Sequence, residues 1–416
     1  MHSPTTTDKA GTGKPFRGNI VLAAGSCILL ILYGSQYSFG VFLKPILTEF
    51  GWTRAATAAA YSLSSIVFAV SCIFAGRFSD RFGPRPVITA CGVLVSISYF
   101  LMSQFTSLWQ LYLIYGVLLS IGTASIFITL LSTIARWFIT KMGTATGVVM
   151  AGIGAGIIIV PPLASFLITG YNWRISYMVM AALSLLIPLV LAQFFKSGPV
   201  QATLSTQSND EDTSDSSPSV LTQGFSLQQA IHTRQLWLIF SIYFISTVCL
   251  QTIVVHIVAH ATDVGIPANI AATILSAIGV VSIVSKVGTG IALDRIRCKP
   301  ILITIAAISS CAFLLLQVPV QLWIFYIFAA LFAAGYGGWS TAQSPTVAEY
   351  FGLRSHGAIL GTTYFAVGLG SAAGPYAAGL IFDTTESYNL AFWGCFVLCV
   401  IAIILPVLLK PTNRNV

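Results

Sequence analysis

Apolar runs long enough to cross a bilayer recur from one end of this chain to the other. A spanning helix needs about 20 predominantly apolar residues. Only 8% of the residues are charged, whereas a soluble domain carries about 25%. We therefore predict an all-α membrane protein with twelve spanning helices, near residues 18–47, 53–76, 85–105, 108–136, 143–169, 173–196, 235–261, 267–293, 300–318, 321–349, 356–383 and 387–410.

The distribution of basic residues predicts the orientation of these helices. If both chain ends lie in the cytoplasm, sixteen of the twenty lysines and arginines fall on the cytoplasmic side, as the positive-inside rule requires. Lys44, Arg54 and Arg174 fall on the outer side, and Lys286 falls within the membrane. Topology thus explains the net charge of +8, and no nucleic-acid partner is expected.

The sequence indicates no enzyme, metal site or bound cofactor. The eight cysteines are scattered, and no pair has the spacing of metal ligands. Seven of them lie in predicted helices, where small apolar side chains fill space. No acidic pair lies inside a predicted helix at membrane depth, and the chain contains no nucleotide-binding loop.

A polar, acidic and serine-rich segment, TLSTQSNDEDTSDSSPS (203–219), separates the sixth predicted helix from the seventh. Such a composition is typical of a flexible linker. The following residues predict a short amphipathic helix that is capped by Ser226 and lies on the inner membrane surface. We expect a cytoplasmic tail (1–17), an N-terminal six-helix bundle (18–196), a cytoplasmic linker (197–234), a C-terminal six-helix bundle (235–410) and a second cytoplasmic tail (411–416).

The two predicted bundles share a pattern at a constant offset of 214 residues. GRFSDR begins at Gly76 and GIALDR begins at Gly290. The same offset relates Trp109 to Trp323, Gly143 to Gly357, Gly147 to Gly361, Gly154 to Gly368, Gly156 to Gly370 and Pro161 to Pro375. This agreement indicates a duplication, and repeat-built transporters bind their substrate near the membrane midplane, between the repeats.

The segment GRFSDRFGPRP (76–86) resembles the loop signature G-x-x-x-D-R-x-G-R of the major facilitator superfamily. The resemblance covers nearly the whole chain outside the tails and the linker. It implies that the glycines let helices approach closely, that the aspartates accept hydrogen bonds from the end of a neighbouring helix, and that the arginines hold the inner gate through charge pairs or lipid phosphates. The expected gating residues are Gly76, Asp80, Arg81, Arg85, Gly290, Asp294 and Arg295.

Three further segments resemble the bacterial monocarboxylate transporters of that superfamily: YGSQYSFGVFLKPILTEFGWTRA (33–55), HIVAHATDVGI (256–266) and the segment around Lys286. Members hold a substrate carboxylate with a cation on the eighth helix, commonly an arginine. The animal branch has an aspartate where this chain has Ser282 and a lysine where it has Tyr37. The resemblance implies alternating-access symport of a small monocarboxylate with a proton, by a single chain in a bacterial inner membrane.

Lys286 lies inside an apolar run and has no obvious acidic partner in the sequence. A lysine in hydrocarbon costs a few kcal/mol or more. The next charge, Asp294, is eight residues away, or about 12 Å along a helix, which is farther than a lysine side chain reaches. The expected partner is a substrate carboxylate. Burial disfavours the charged form of an amine, so an arriving carboxylate would draw in a proton, a step that an arginine cannot supply.

Other polar and aromatic residues could complete a pocket with Lys286. His256 lies on the seventh predicted helix, where it either joins the pocket and the proton path or acts as a hydrogen-bonded packing residue. Tyrosine and tryptophan serve equally as interface and packing residues in membranes. The further substrate-binding candidates are Tyr33, Gln36, Tyr37, Thr123, Tyr336, Trp339 and Tyr364.

Several functions remain open from the sequence. Exchange of one carboxylate for another fits the same residues as proton symport. A drug or organic-anion efflux transporter fits the fold, although efflux of cations calls for a membrane carboxylate rather than a lysine. A membrane sensor that retains the fold without transport is a further alternative. The identity of the acid and the direction of transport do not follow from the sequence.

Overall fold

The structure, a computed structural model, describes residues 14–52, 54–195, 224–318 and 321–410. Twelve of its helices are long and apolar enough to cross a membrane, which confirms the predicted number. We label them α1 (Lys14–Tyr37 and Phe39–Phe50), α2 (Arg54–Phe82), α3 (Pro84–Met102), α4 (Leu108–Trp137), α5 (Met142–Gly170), α6 (Trp173–Leu191), α7 (Arg234–Asp263), α8 (Ala268–Arg295), α9 (Cys298–Leu315), α10 (Leu322–Phe351), α11 (His356–Thr385) and α12 (Asn389–Val407).

Two of the twelve helices contain irregular segments. α1 is interrupted at Ser38, whose hydroxyl donates to the Gly34 carbonyl at 2.7 Å, and a second segment continues to Phe50. A hydroxyl that bonds back to its own helix competes with the regular ladder and bends helices. α4 contains a π-helical segment, Tyr112–Leu119. In a π-helix the backbone hydrogen bonds run between residues i and i+5, a change that the hydropathy of the sequence does not record.

The helices form two six-helix bundles, α1–α6 and α7–α12. Because successive helices alternate in direction, α1 begins and α6, α8 and α12 end at one face, which also receives the linker. We call this face the linker side and the opposite face the distal side. The predicted tails and most of the predicted linker lie outside the described residues.

The short helix that follows the linker spans Leu227–Ile231. Its predicted cap is confirmed, because the Ser226 hydroxyl accepts a hydrogen bond from the Gln229 amide at 3.2 Å. The Phe225 amide donates to the Phe351 carbonyl at 2.9 Å, and the two rings meet edge to face. The end of the linker is thereby attached to the connection between α10 and α11.

On the linker side the two bundles meet in two contacts related by the 214-residue offset. α2 crosses α11 where Gly76 faces Gly357, and α5 crosses α8 where Gly143 faces Gly290. A Cβ atom added to any of these glycines would overlap backbone atoms of the facing helix, or lie within 3.0 Å of them. The absence of side chains allows this approach, and it closes the linker side of the interface.

The same correspondence continues one turn deeper. Gly361 of α11 lies against the Cys72 carbonyl of α2, and Gly147 of α5 lies against the Lys286 carbonyl of α8. Cys72 and Lys286 are themselves related by the offset of 214 residues. The interface is therefore pseudo-symmetric in its backbone packing, whereas its side chains differ between the halves.

We expect Gly361→Val to disfavour the observed closure, because the new side chain would collide with the Cys72 backbone. Overpacking costs about 1–3 kcal/mol. This cost is enough to raise the ratio of molecules open on the linker side to closed molecules by roughly an order of magnitude. Distances between spin labels at Lys141→Cys and Arg297→Cys, both exposed on the linker side, would report the shift. Exposed Cys27 and Cys311 would be replaced by serine.

Gly279→Val provides the control for this experiment. A Cβ atom at Gly279, on α8, would meet no atom within 4 Å, so the label distance should keep its wild-type distribution. A wild-type distribution in Gly361→Val as well would contradict the role of glycine packing in closure.

Candidate functional site

A cavity of about 180 Å³ lies between the two bundles. The N-terminal bundle lines it with Tyr33, Gln36, Tyr37, Ser65, Phe68, Phe127, Met150 and Ile153. The C-terminal bundle contributes Tyr243, Ser246, Thr247, Leu250, Gln251, Tyr336, Trp339, Ser340, Gln343, Tyr364, Val367, Gly368 and Ser371. No charged side chain occurs among these residues, so the surface of the cavity is neutral and rich in hydroxyl, amide and aromatic groups.

One aromatic contact joins the bundles at this cavity. The rings of Phe127 on α4 and Tyr364 on α11 meet edge to face, with 4.9 Å between centroids. Tyr33 packs against the same phenylalanine at 5.3 Å. The Tyr364 hydroxyl oxygen and the Gln36 side-chain oxygen are buried without a hydrogen-bond partner among the described residues. Buried polar atoms of this kind are normally satisfied, so both are available to a ligand.

The structure brings six of the nine predicted substrate-binding residues to the cavity. They are Tyr33, Gln36, Tyr37, Tyr336, Trp339 and Tyr364. The lining residues do not include the other three, which are Lys286, His256 and Thr123. Each of these three residues has a different environment.

Lys286 is 1% exposed and lies next to a residue that lines the cavity. Its amino nitrogen is 4.9 Å from the ring centroid of Tyr336, and this ring lines the cavity. Within the described ranges, the amino group makes no ion pair and no hydrogen bond. The Thr341 hydroxyl donates to the Lys286 carbonyl at 3.3 Å, and the Ser285 hydroxyl donates to the Ala334 carbonyl at 2.6 Å, so α8 is fixed to α10 at this level.

His256 lies in the distal half of the C-terminal bundle, away from the cavity. Its Nδ1 is 3.0 Å from the Tyr388 hydroxyl, and its Nε2 is 3.0 Å from the Pro375 carbonyl. Both ring nitrogens therefore have partners, on α11 and next to the start of α12. The arrangement matches the packing alternative for this residue and ties α7 to its neighbours.

Thr123 is buried within α4 and bonds to its own helix. Its hydroxyl lies 3.0 Å from the Leu119 carbonyl and 3.2 Å from the Ser120 carbonyl. A threonine in an apolar helix satisfies its hydroxyl in this way without any ligand. Sequence position alone does not show which face of α4 it occupies.

The sequence analysis did not include the polar face of α7 among its candidates. Tyr243, Thr247 and Gln251 line the cavity at intervals of four residues, which places them on one face of a helix. Gln343 of α10 also lines it, and its amide donates to the Thr363 hydroxyl at 3.0 Å. The regular polar spacing in an otherwise apolar helix is the signal that could have identified the α7 residues.

The predicted gating aspartates each cap a helix of the opposite bundle. Asp80, at the end of α2, accepts a hydrogen bond from the Ala358 amide at the start of α11, at 3.3 Å. Asp294, at the end of α8, accepts from the Gly143 and Thr144 amides at the start of α5, at 2.7 and 3.0 Å. A carboxylate is favoured at a helix N-terminus, where amide groups lack partners.

Only the first of these aspartates forms an ion pair among the described residues. Arg136, at the end of α4, pairs with Asp80, and the sequence analysis did not identify this arginine. Arg81, Arg85 and Arg295 are exposed and form no ion pair with another described residue. Arg81 lies over the Phe82 ring, 5.5 Å from its centroid.

Two pseudo-symmetric six-helix bundles around a central cavity are the architecture of a secondary transporter. The profile of the Major Facilitator Superfamily matches residues 25–375 and 239–415. Since these matches cover most of the chain, the protein belongs to the Major Facilitator Superfamily of transporters.

Comparisons with individual proteins agree with this membership. Monocarboxylate transporter 13 of Rattus norvegicus is 28% identical over 376 residues, covering 87% of this chain and 82% of the relative. The oxalate:formate antiporter of Oxalobacter formigenes is 25% identical over 276 residues, covering 65% and 61%. The proton:xylose symporter XylE superimposes with a TM-score of 0.74 at 14% identity, covering 94% of this chain and 95% of that chain. This last likeness concerns the fold alone.

We expect Asp80→Asn to open the linker side more than Asp294→Asn does. Asparagine caps a helix about as well as aspartate, so each variant can still accept the facing amides. Asp80→Asn, however, leaves Arg136, whose side chain is only 11% exposed, without its counter-charge, at a cost of about 1–2 kcal/mol. Spin-label distances across the linker side should show a loss of closed molecules of about 5- to 30-fold in Asp80→Asn, and little change in Asp294→Asn. Equal effects would contradict the importance of the ion pair.

Proposed function

We propose that this protein is a secondary active transporter that moves a small monocarboxylate, of the lactate or pyruvate kind, together with a proton. The observation that carries the proposal is the amino group of Lys286. It is buried at membrane depth, lacks an anionic partner among the described residues, and lies 4.9 Å from the ring of Tyr336, which lines the central cavity. A buried charge is normally paired. The missing anion is supplied by the substrate.

The chemistry around the cavity favours a monovalent acid. One cation suits one carboxylate, and every described residue that lines the cavity is uncharged. The unpartnered oxygens of Gln36 and Tyr364 suit a hydroxyl group on the rest of the ligand. The relationship to proteins named monocarboxylate transporters supports the same substrate class.

The proton is carried by Lys286 in this proposal. A lysine that is neutral when the site is empty takes up a proton as the carboxylate arrives, so anion and proton move together. His256 is less suited to this role, because both of its ring nitrogens have partners away from the cavity. Lysine can release its proton during the cycle, whereas arginine remains charged.

The interface between the bundles supports transport by alternating access. Asp80 and Asp294 hold the linker side closed through the opposite helix N-termini, so the cavity would load from the distal side. Opening the linker side requires both caps to break and the two bundles to rock apart. Asp80→Asn should therefore slow transport more than it weakens substrate binding.

We place the linker side in the cytoplasm, because it carries most of the basic residues. We further propose that the membrane is a bacterial inner membrane and that a single chain is the functional unit, an assignment supported by a cavity whose described lining comes from one chain. A reporter that is active only outside the cell, fused after the linker, should remain silent under this assignment.

Exchange of one carboxylate for another is the second candidate. The relationship to the oxalate:formate antiporter favours it, and the same cation would serve both directions of exchange. The two functions differ in a flux assay, since an exchanger needs a carboxylate on the opposite face, whereas a symporter accumulates its substrate when only a pH gradient is applied.

We expect Lys286→Ala to abolish most binding of labelled lactate, because an anion would be left unpaired in a poorly hydrated site. Removing one partner of a buried charge pair costs about 2–5 kcal/mol, so the affinity should fall at least about 30-fold. Lys286→Arg should retain lactate exchange and lose accumulation driven by a pH gradient. Proteoliposome fluxes with and without the gradient would measure both.

Thr123→Ala is the matched control, because Thr123 is buried and bonds to its own helix outside the cavity. It should bind and transport lactate as the wild-type protein does. Wild-type affinity in Lys286→Ala would contradict the assignment of the carboxylate to Lys286. Normal pH-driven uptake in Lys286→Arg would contradict only the proton-carrying role.

A further inference from the structure

Lys286 and the cavity are neighbours without being in contact in this closed arrangement. The Lys286 side chain is 1% exposed, and it is absent from the cavity lining. Tyr336 contacts both the cavity and the lysine. Its ring lines the cavity, and the ring centroid lies 4.9 Å from the Lys286 amino nitrogen. Tyr336 is therefore a cavity-lining residue whose ring lies against the amine.

Close packing of α8 against α10 fixes this relationship. Gly337, the residue after Tyr336, faces α8 so closely that an added Cβ atom would lie 2.7 Å from the Ser285 side chain. Ser285 also donates its hydroxyl to the Ala334 carbonyl at 2.6 Å. Because contacts with Ser285 on both sides of Tyr336 set the register of the two helices, the ring and the amine can separate only when a side chain rotates.

The internal duplication shows that Lys286 and Tyr336 have no equivalents in the N-terminal half. At the offset of 214 residues, Lys286 corresponds to Cys72 and Tyr336 corresponds to Gly122. The backbone contacts at these levels are alike in the two halves, since Gly361 meets the Cys72 carbonyl as Gly147 meets the Lys286 carbonyl. The N-terminal half thus has neither the amine nor the ring, and the amine and its aromatic neighbour occur together in one half only.

We propose that Tyr336 is a positioning residue that covers Lys286 and controls its access to the cavity. In the empty site the ring face covers the neutral amine, whose N–H groups contact the π surface. An entering anion reaches the amine only when the ring rotates aside, after which the carboxylate replaces the ring as its partner. The identity of the anion rests on the function proposed above, whereas the covering role of the ring does not.

The cover can be tested by the reactivity of the Lys286 amine in purified protein without any substrate. Formaldehyde and a borane reductant methylate accessible amines, and peptide mass spectrometry resolves each lysine. We expect Lys286 to react at least about tenfold faster in Tyr336→Ala than in the wild-type protein. In Tyr336→Phe, which retains the ring face, Lys286 should remain as slow as in the wild type.

Two controls separate loss of the cover from general loosening of the protein. Tyr33→Ala removes another cavity-lining ring, on α1, and should leave Lys286 slow. Lys299 donates its amine to the Val407 and Leu409 carbonyls at 2.7 and 3.2 Å, so its reactivity reports opening of the C-terminal bundle in the same sample. It should stay constant across the variants.

The proposal is overturned if Lys286 reacts as fast in the wild-type protein as in Tyr336→Ala. It is equally overturned if Lys286 stays protected in Tyr336→Ala while the reactivity of Lys299 is unchanged.

A second measurement repeats the methylation in the presence of saturating L-lactate. Slower methylation of Lys286 in Tyr336→Ala with lactate is expected from carboxylate pairing. No effect of lactate, with the dependence on Tyr336 intact, would contradict the proposed substrate and leave the cover standing.

Discussion

The closed linker side of this structure depends on the close approach of α2 to α11 and of α5 to α8. Glycines meet backbone atoms of the facing helix at both crossings, so the bundles pack closely enough for Asp80 and Asp294 to reach amides across the interface. These caps use the unpaired amides at two helix N-termini. Each is lost when the bundles separate, and the closed linker side therefore depends on a small number of polar contacts that a transport cycle can break and remake.

The backbone packing is nearly the same in the two halves, but the buried pair of Lys286 and Tyr336 occurs only in the second half. The position of Lys286 in the second half is occupied by Cys72 in the first, although both residues present a carbonyl to a glycine of the other bundle. A charge without an anionic partner among the described residues is unfavourable in an apolar interior. The charged form of Lys286 is best explained by an anion that is present during part of the cycle, and the Tyr336 ring covers the neutral amine during the rest.

The sequence allowed the number of helices, the two-bundle architecture and the superfamily to be predicted, because hydropathy, the offset repeat and the loop signature are local patterns. The Ser226 cap was predicted for the same reason. The break at Ser38 and the π-helical segment of α4 depend on backbone hydrogen bonding that hydropathy does not record. His256 and Thr123 were placed with the pocket candidates by helix membership, whereas their orientations depend on packing. Arg136 was missed because its partner, Asp80, lies 56 residues away in the sequence.

The central claim is that the Lys286 ammonium group binds the carboxylate of the substrate. Solid-state NMR dipolar recoupling between carboxyl-¹³C lactate and lysine ¹⁵Nζ would measure this contact directly. A charge-assisted hydrogen bond between amine and carboxylate predicts a carbon–nitrogen distance of about 3.5 Å, for a lysine signal that disappears in Lys286→Arg. If lactate is bound and that signal shows no coupling to its carboxyl carbon, the claim is contradicted.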